Sequence, residues 1–292
     1  MITVKLKGGL GNQMFQYACG RHISMRRKTG LTLDLSSYSG SHARGDTPRQ
    51  FALDAFNIDA GTQISEKQPA GNPYLSAAKK AYGKILQMLF GDRSLRFDPK
   101  ILDARDGAYL EGFWQSEKYF KEIEDAIRKE FTLKKPLGST AALWAEKIRA
   151  AGTSVSLHIR RGDYVTNSIT HSYHGTCSKE YYARAYAEMI RRLGKNPEAV
   201  ELFIFSDDIP WAKENLSFPS QIYFVSDDAI PDYEEIALMS ICRHHIIANS
   251  SFSWWGAWLD ASEGKIVIAP EIWNAVRGMD TTDLVPSEWI RI

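Results

Sequence analysis

The feature that most restricts the fold is a regular alternation of short apolar runs and helix-length patterns through the second half of the chain. The runs are Ser154–Arg160, Leu202–Ser206, Ile222–Ser226, Ile246–Asn249 and Ile266–Ala269, and Lys179–Leu193, Tyr233–Cys242 and Phe252–Asp260 read as helices between them. Parallel strands need a crossover, usually a helix, where antiparallel ones need only a turn. The alternation therefore predicts a parallel sheet with helices on both faces. Such sheets take ligands beyond the carboxyl ends of their strands.

The first half opens in the same way. Thr3–Leu6 reads as a strand, Gly8–Gly11 as a glycine turn, Gln13–Lys28 as a helix and Leu31–Leu35 as a second strand. The middle, 36–99, is irregular and rich in turn residues. Regularity returns with a strand at Ala108–Gly112 and a helix at Glu117–Glu130. Pro136 and Gly138 mark a boundary, so we expect one α/β domain over 1–135 and a second over 136–292, facing each other across a cleft.

Composition narrows the partners. A formal net charge of +1 over 292 residues excludes a broad nucleic-acid footprint. Cys19, Cys177 and Cys242 are scattered and odd in number, which predicts neither zinc nor a disulfide framework. No secretory leader is read at MITVKLKGGL, and no apolar run reaches the ~18 residues that a membrane span needs. Ala77–Phe90 is basic and amphipathic, a surface helix or a segment that touches a membrane surface.

The strand SVSLHIRRGDY, Ser154–Tyr164, carries the strongest local chemistry. Val155, Leu157 and Ile159 share one face, and Ser156, His158 and Arg160 the other, so His158 and Arg160 emerge together at the carboxyl end. A buried guanidinium needs a counter-anion, and its rigid fork suits phosphate oxygens. One of Arg160 and Arg161 is expected to meet ligand, and the other to brace the turn by pairing with Asp163. KGGLGNQMFQYA, Lys7–Ala18, is a glycine turn feeding a helix, with Met14 where a dinucleotide fingerprint has its third glycine. Backbone N–H groups there can cradle an anion, and the Asn12 and Gln13 amides can orient a sugar or phosphate; a tight turn without ligand is the plainer alternative.

FIFSDD, Phe203–Asp208, ends a strand in carboxylates that can accept from ribose or guanine, and the pattern recurs at FVSDD, Phe224–Asp228. At least one copy is expected to be only a helix N-cap. ANSSFSWWGAWL, Ala248–Leu259, brings hydroxyls and helix N–H groups together, which suits phosphate. The helical spacing of Trp254, Trp255 and Trp258 makes them packing residues rather than a sugar-stacking surface. His171, His174, His244 and His245 show no metal spacing, and no nucleophile elbow supports Ser–His–Asp chemistry.

Four motifs, GGLGNQMFQYA, EGFWQSEKYF (Glu111–Phe120), HIRRGDY and NSSFSWW, fall in order along nearly the whole chain. Together they resemble the bacterial α-1,2-fucosyltransferases. The resemblance implies an α/β, GT-B-like fold of two Rossmann-like domains facing across a cleft. It implies transfer of L-fucose from GDP-β-L-fucose to the 2-hydroxyl of a terminal β-galactoside, with inversion and without metal or other cofactor; GDP-fucose is a co-substrate. A GDP-fucose enzyme of another linkage or acceptor is the alternative. A nicotinamide oxidoreductase is disfavoured by the broken glycine fingerprint, and a glycan-binding module by the arginines and hydroxyls at separate strand ends.

By the same resemblance Arg160 matches the arginine on the β-phosphate, His158 a nucleotide contact, Asp207 the carboxylate that reads guanosine, and Ser250, Ser251 and Phe252 the phosphate turn. Gly11, Asn12 and Gln13 match the glycine loop of the acceptor-side domain and are counted, with Arg161, among the donor-binding residues. Asp163 stands equally as general base or as a brace for the arginines. A cytoplasmic enzyme peripheral to the inner membrane is the expected setting.

Overall fold

The computed structural model describes residues 1–39, 49–63, 95–162, 165, 175–276 and 279–292. Ala77–Phe90, Asp163, His171 and His174 lie outside the described residues. The chain forms two compact units. One comprises Met1–Asp54, Ile58–Glu130 and Val276–Pro286; the other comprises Ala55–Asn57, Phe131–Ala275 and Ser287–Ile292.

In the first unit, β1 (Ile2–Lys5), β2 (Leu31–Asp34), β3 (Gly61–Gln63) and β4 (Tyr109–Leu110) form a parallel sheet in the order β3-β2-β1-β4. Helix α1 (Leu10–Arg27) makes the β1–β2 crossover and ends where Lys28 turns left-handed, at φ 52°. It packs closely on the sheet at Gly20, where an added Cβ would stand 2.5 Å from Val4. The helix expected over Glu117–Glu130 is instead two 3₁₀ turns, Glu117–Tyr119 and Lys121–Ile123, followed by α2 (Glu124–Glu130). The break falls at Phe120, whose ψ of 9° leaves the helical region while its ring sits fully buried, 6.1 Å from Phe15. Burial of one aromatic outweighs an unbroken helical ladder here.

The second unit holds α3 (Ser139–Ala150) and a parallel sheet of β5 (Ser154–Ile159), β6 (Glu201–Ser206), β7 (Gln221–Phe224), β8 (His244–Ile246), β9 (Val267–Ala269) and β10 (Ile290–Arg291). Its order is β10-β9-β8-β5-β6-β7. Between the strands run α4 (Lys179–Leu193), α5 (Ile209–Asn215), α6 (Asp232–Ser240) and α7 (Ser251–Leu259). Helix α4 has the expected boundaries, set by the Ser178 hydroxyl, which accepts from Tyr181 N, and by Gly194 at φ 60°. Its Tyr182, Ala185 and Met189 pack with Val155, Leu157 and Ile159, so the alternation along β5 sends His158 to the opposite face.

Helices α6 and α7 approach so closely that a Cβ on Gly256 would lie 2.8 Å from that of Met239. Trp254, Trp255 and Trp258 are buried in an aromatic cluster, so packing is indeed their place.

Candidate active site

The direction in which strands are added decides where this sheet can hold a ligand. From β5 the chain moves outward to β6 and β7, then returns to the other side of β5 with β8. Loops leaving β5 and β8 diverge at that switch point and leave a crevice beyond the carboxyl ends. The segments concerned are Arg160–Gly162, after β5, and Ile247–Ser250, after β8. A cavity of about 640 Å³ opens beside it, beyond the carboxyl ends of β5, β6 and β7, lined by His158, Arg160, Asp207, Asp232, Glu235 and Phe252 among others.

His158 is 3% exposed, 5.6 Å from the Phe252 ring, and its Nδ1 is a buried polar atom without a hydrogen-bond partner. Burial, helped by the charge of Arg160, pushes the imidazole down to about 3, so it is neutral at physiological pH. A buried nitrogen left unpaired costs free energy that a ligand hydroxyl or N–H can recover.

Each arginine has a carboxylate partner on the segment that follows β6. Arg160 Nη1 pairs with Asp207 Oδ2 at 3.1 Å, and Arg161 Nε with Asp208 Oδ2 at 3.2 Å. Arg161 also lies 4.0 Å from the centre of the Trp211 ring, and its backbone N–H donates to Asp207 Oδ1 at 2.8 Å. Arg161 is therefore a bracing arginine, with Asp208 beside it. Asp208 is also the N-cap of α5, accepting from Trp211 N. Both oxygens of Asp207 are engaged by the arginine segment, and each keeps a further lone pair towards the cavity that the residue lines. Its approach requires Gly162, where a Cβ would stand 2.6 Å from Oδ2.

Residues Ser250–Phe252 lie at the start of α7. The Ser250 hydroxyl caps the helix by accepting from Phe252 N, and is 6% exposed. Ser251 opens the helix, where the positive end of its dipole favours an anion. Gln13 is corrected from a ligand contact to a brace in the first unit. It is fully buried, its amide nitrogen donates to Gly8 O and Gln50 O, and its oxygen accepts from Ala52 N. Asn12 Oδ1 accepts from Gln115 Nε2 at 2.6 Å, and Gly11 is buried in the first turn of α1. These three residues belong to the first unit and are not among those that line the cavity.

Two arrangements escaped the sequence reading. Ser156 Oγ, His245 and Asp260 form a hydrogen-bonded chain of 2.8 and 3.0 Å, but all three are buried, at 2, 0 and 3% exposure. This Ser–His–Asp chain ties β5 and β8 to the end of α7 and presents no nucleophile to solvent. Glu235 lines the cavity from α6, and desolvation, reinforced by Asp232 and Asp207, raises its carboxyl to about 7. The fold thus opposes its ionisation: the associated stability is full below the usual value of 4.5 and is lost as pH rises through about 7. Glu235→Gln is accordingly expected to shift the urea midpoint upward at about pH 8 and to leave it nearly unchanged at about pH 4.

Residues 93–292 match the family described as Glycosyl transferase family 11. Over the whole chain the sequence is 37% identical to an alpha-1,2-colitosyltransferase of Escherichia coli, covering 99% of that protein. The chain belongs to glycosyl transferase family 11. It is a glycosyltransferase related throughout its length to a second Escherichia coli protein, the O-antigen biosynthesis glycosyltransferase WbnK, at 33% identity over 98% of the chain and 99% of that protein. A human galactoside alpha-(1,2)-fucosyltransferase is 29% identical over 51% of the chain and 42% of its own length.

Among solved structures, the NodZ alpha-1,6-fucosyltransferase soaked with GDP-fucose matches with a TM-score of 0.52 at 14% identity, over 88% of this chain and 92% of that one. The family 11 chain thus has the α/β fold of the GT-B fucosyltransferases. Among the described residues no helix is long and apolar enough to cross a membrane, and no cluster of three or more metal-ligating side chains occurs.

Proposed function

We propose that this family 11 enzyme transfers L-fucose from GDP-β-L-fucose to the 2-hydroxyl of a terminal β-galactoside, with inversion and without a metal. The observation that carries the reading is the division of one cavity into two chemical sides. Arg160 and the N-terminal end of α7 suit a diphosphate, while Asp232, Glu235 and the orphaned His158 nitrogen suit the N–H and O–H groups of a nucleoside. The cavity volume lies within the ~300–1,000 Å³ of small-molecule sites.

Cleavage of the bond from the anomeric carbon to the β-phosphate leaves oxocarbenium character on the sugar and negative charge on the departing diphosphate. Arg160 faces that charge, and Asp207 holds its guanidinium in place beforehand, so little reorganisation is needed as the bond breaks. The acceptor hydroxyl must lose its proton as it attacks, and Asp163 is one candidate to receive it.

A second reading keeps the linkage and replaces fucose by colitose, favoured by the 37% identical colitosyltransferase. GDP-fucose and GDP-colitose, each incubated with a panel of galactosides in the presence of EDTA, separate the two. We expect mass spectrometry to find a fucosylated product and linkage NMR to place it on O2 of galactose. Transfer confined to GDP-colitose establishes the second reading, and transfer to non-galactosides only sinks the galactoside assignment.

A further inference from the structure

The motif Glu111–Phe120 has no part in the chemistry above, yet it leaves the first sheet at that sheet's own switch point. From β1 the chain steps outward to β2 and β3, then returns to the far side of β1 with β4. The loops that diverge there follow Lys5 and Leu110. Trp114, on the second loop, has φ of 45°, a left-handed backbone that a bulky residue adopts only under constraint.

The constraints are local and specific. Gln16 Nε2 donates to Gly112 O at 3.0 Å, and Ser116 N donates to Trp114 O at 2.8 Å. The indole lies so near Gly112 that a Cβ there would be 2.7 Å from the ring. Core packing does not ask for this strain: Trp114 is half-buried, and the neighbouring Phe113 is 39% exposed. Beside the rings, Gln115 Nε2 donates to Asn12 Oδ1, which leaves Asn12 Nδ2 as a donor and Gln115 Oε1 as an acceptor. Lys7 lies 4.8 Å from the Phe113 ring centre and pairs at 3.4 Å with Glu111, which Lys5 also approaches at 3.7 Å.

We propose that Phe113, Trp114 and Gln115, with Asn12, form the platform on which a pyranoside acceptor lies, an assignment that rests on the glycosyl transfer proposed above. Aromatic rings offer an apolar face to sugar C–H groups, and the two amides offer a donor and an acceptor to its hydroxyls.

Saturation-transfer NMR of lactose on the full chain without donor tests this apart from any activity. Wild type is expected to saturate the galactose protons. Phe113→Ala, at an exposed position, and Trp114→Gly, which accepts φ of 45° without strain, are each expected to weaken lactose binding about tenfold, with Trp114→Phe retaining it. Binding undiminished in Phe113→Ala, or no saturation of lactose in wild type, overturns the platform. Absence of product from either sugar nucleotide, with lactose still bound, instead overturns the proposed function and leaves the platform standing.

Discussion

Arg160→Ala is expected to fold normally and to lose at least about a hundredfold in kcat, the lower end of what removal of one preorganised donor costs, about 2.7–4 kcal/mol. The side chain is 21% exposed, so its loss leaves no cavity in the core. Asp207 then loses its guanidinium partner while keeping the Arg161 backbone N–H, and the departing diphosphate loses the charge that Arg160 supplied. Arg160→Lys retains the charge without the fork and is expected to recover only part of the rate. Steady-state kinetics with circular dichroism as the folding control measure both variants. Near-normal turnover in the folded alanine variant removes the central role given to Arg160.

That prediction was available from the strand pattern, because side-chain alternation alone puts His158 and Arg160 on one face at a carboxyl end. What the pattern did not carry was the partner. The pairing of Ser206 with Ile159 brings Arg160 next to Asp207, and register is a property of two segments together. Gln13 misled for a related reason. Its two ends are spent on Gln50 and Ala52, 37 and 39 residues away, so an amide placed well for a ligand is consumed by a loop.

Glu235 could have been found. It lies one turn before Met239 on α6, a helix that the periodicity predicts, but attention to strand ends passed over a carboxylate on a helix flank. The left-handed Trp114 gave no such signal, since a backbone strain imposed by Gly112 and Gln16 appears only once the chain is folded.

Trp254→Ala is expected to lower stability by about 3–5 kcal/mol, a large share of the ~5–15 kcal/mol that holds a typical protein folded. The indole is fully buried, stacked on Trp258 at 6.0 Å, edge-on to Trp255 at 5.1 Å and tilted against Trp289 at 5.4 Å. Close packing of α6 on α7 at Gly256 limits how far the site can collapse, which puts the cost towards the upper end. Calorimetry should show a midpoint lower by on the order of 10 °C. The donor site responds differently. Trp254 holds Ser250 O through its backbone N–H, a bond that alanine keeps, and Ser250 caps the helix through its own hydroxyl. In the folded protein at low temperature, the KM for the sugar nucleotide should therefore stay within about twofold, a change worth less than 0.5 kcal/mol. A variant that kept its midpoint but lost sugar-nucleotide binding would place the indole against ligand instead. Burial of the ring argues against that outcome, since a side chain with no accessible surface cannot stack on a sugar until the aromatic cluster opens.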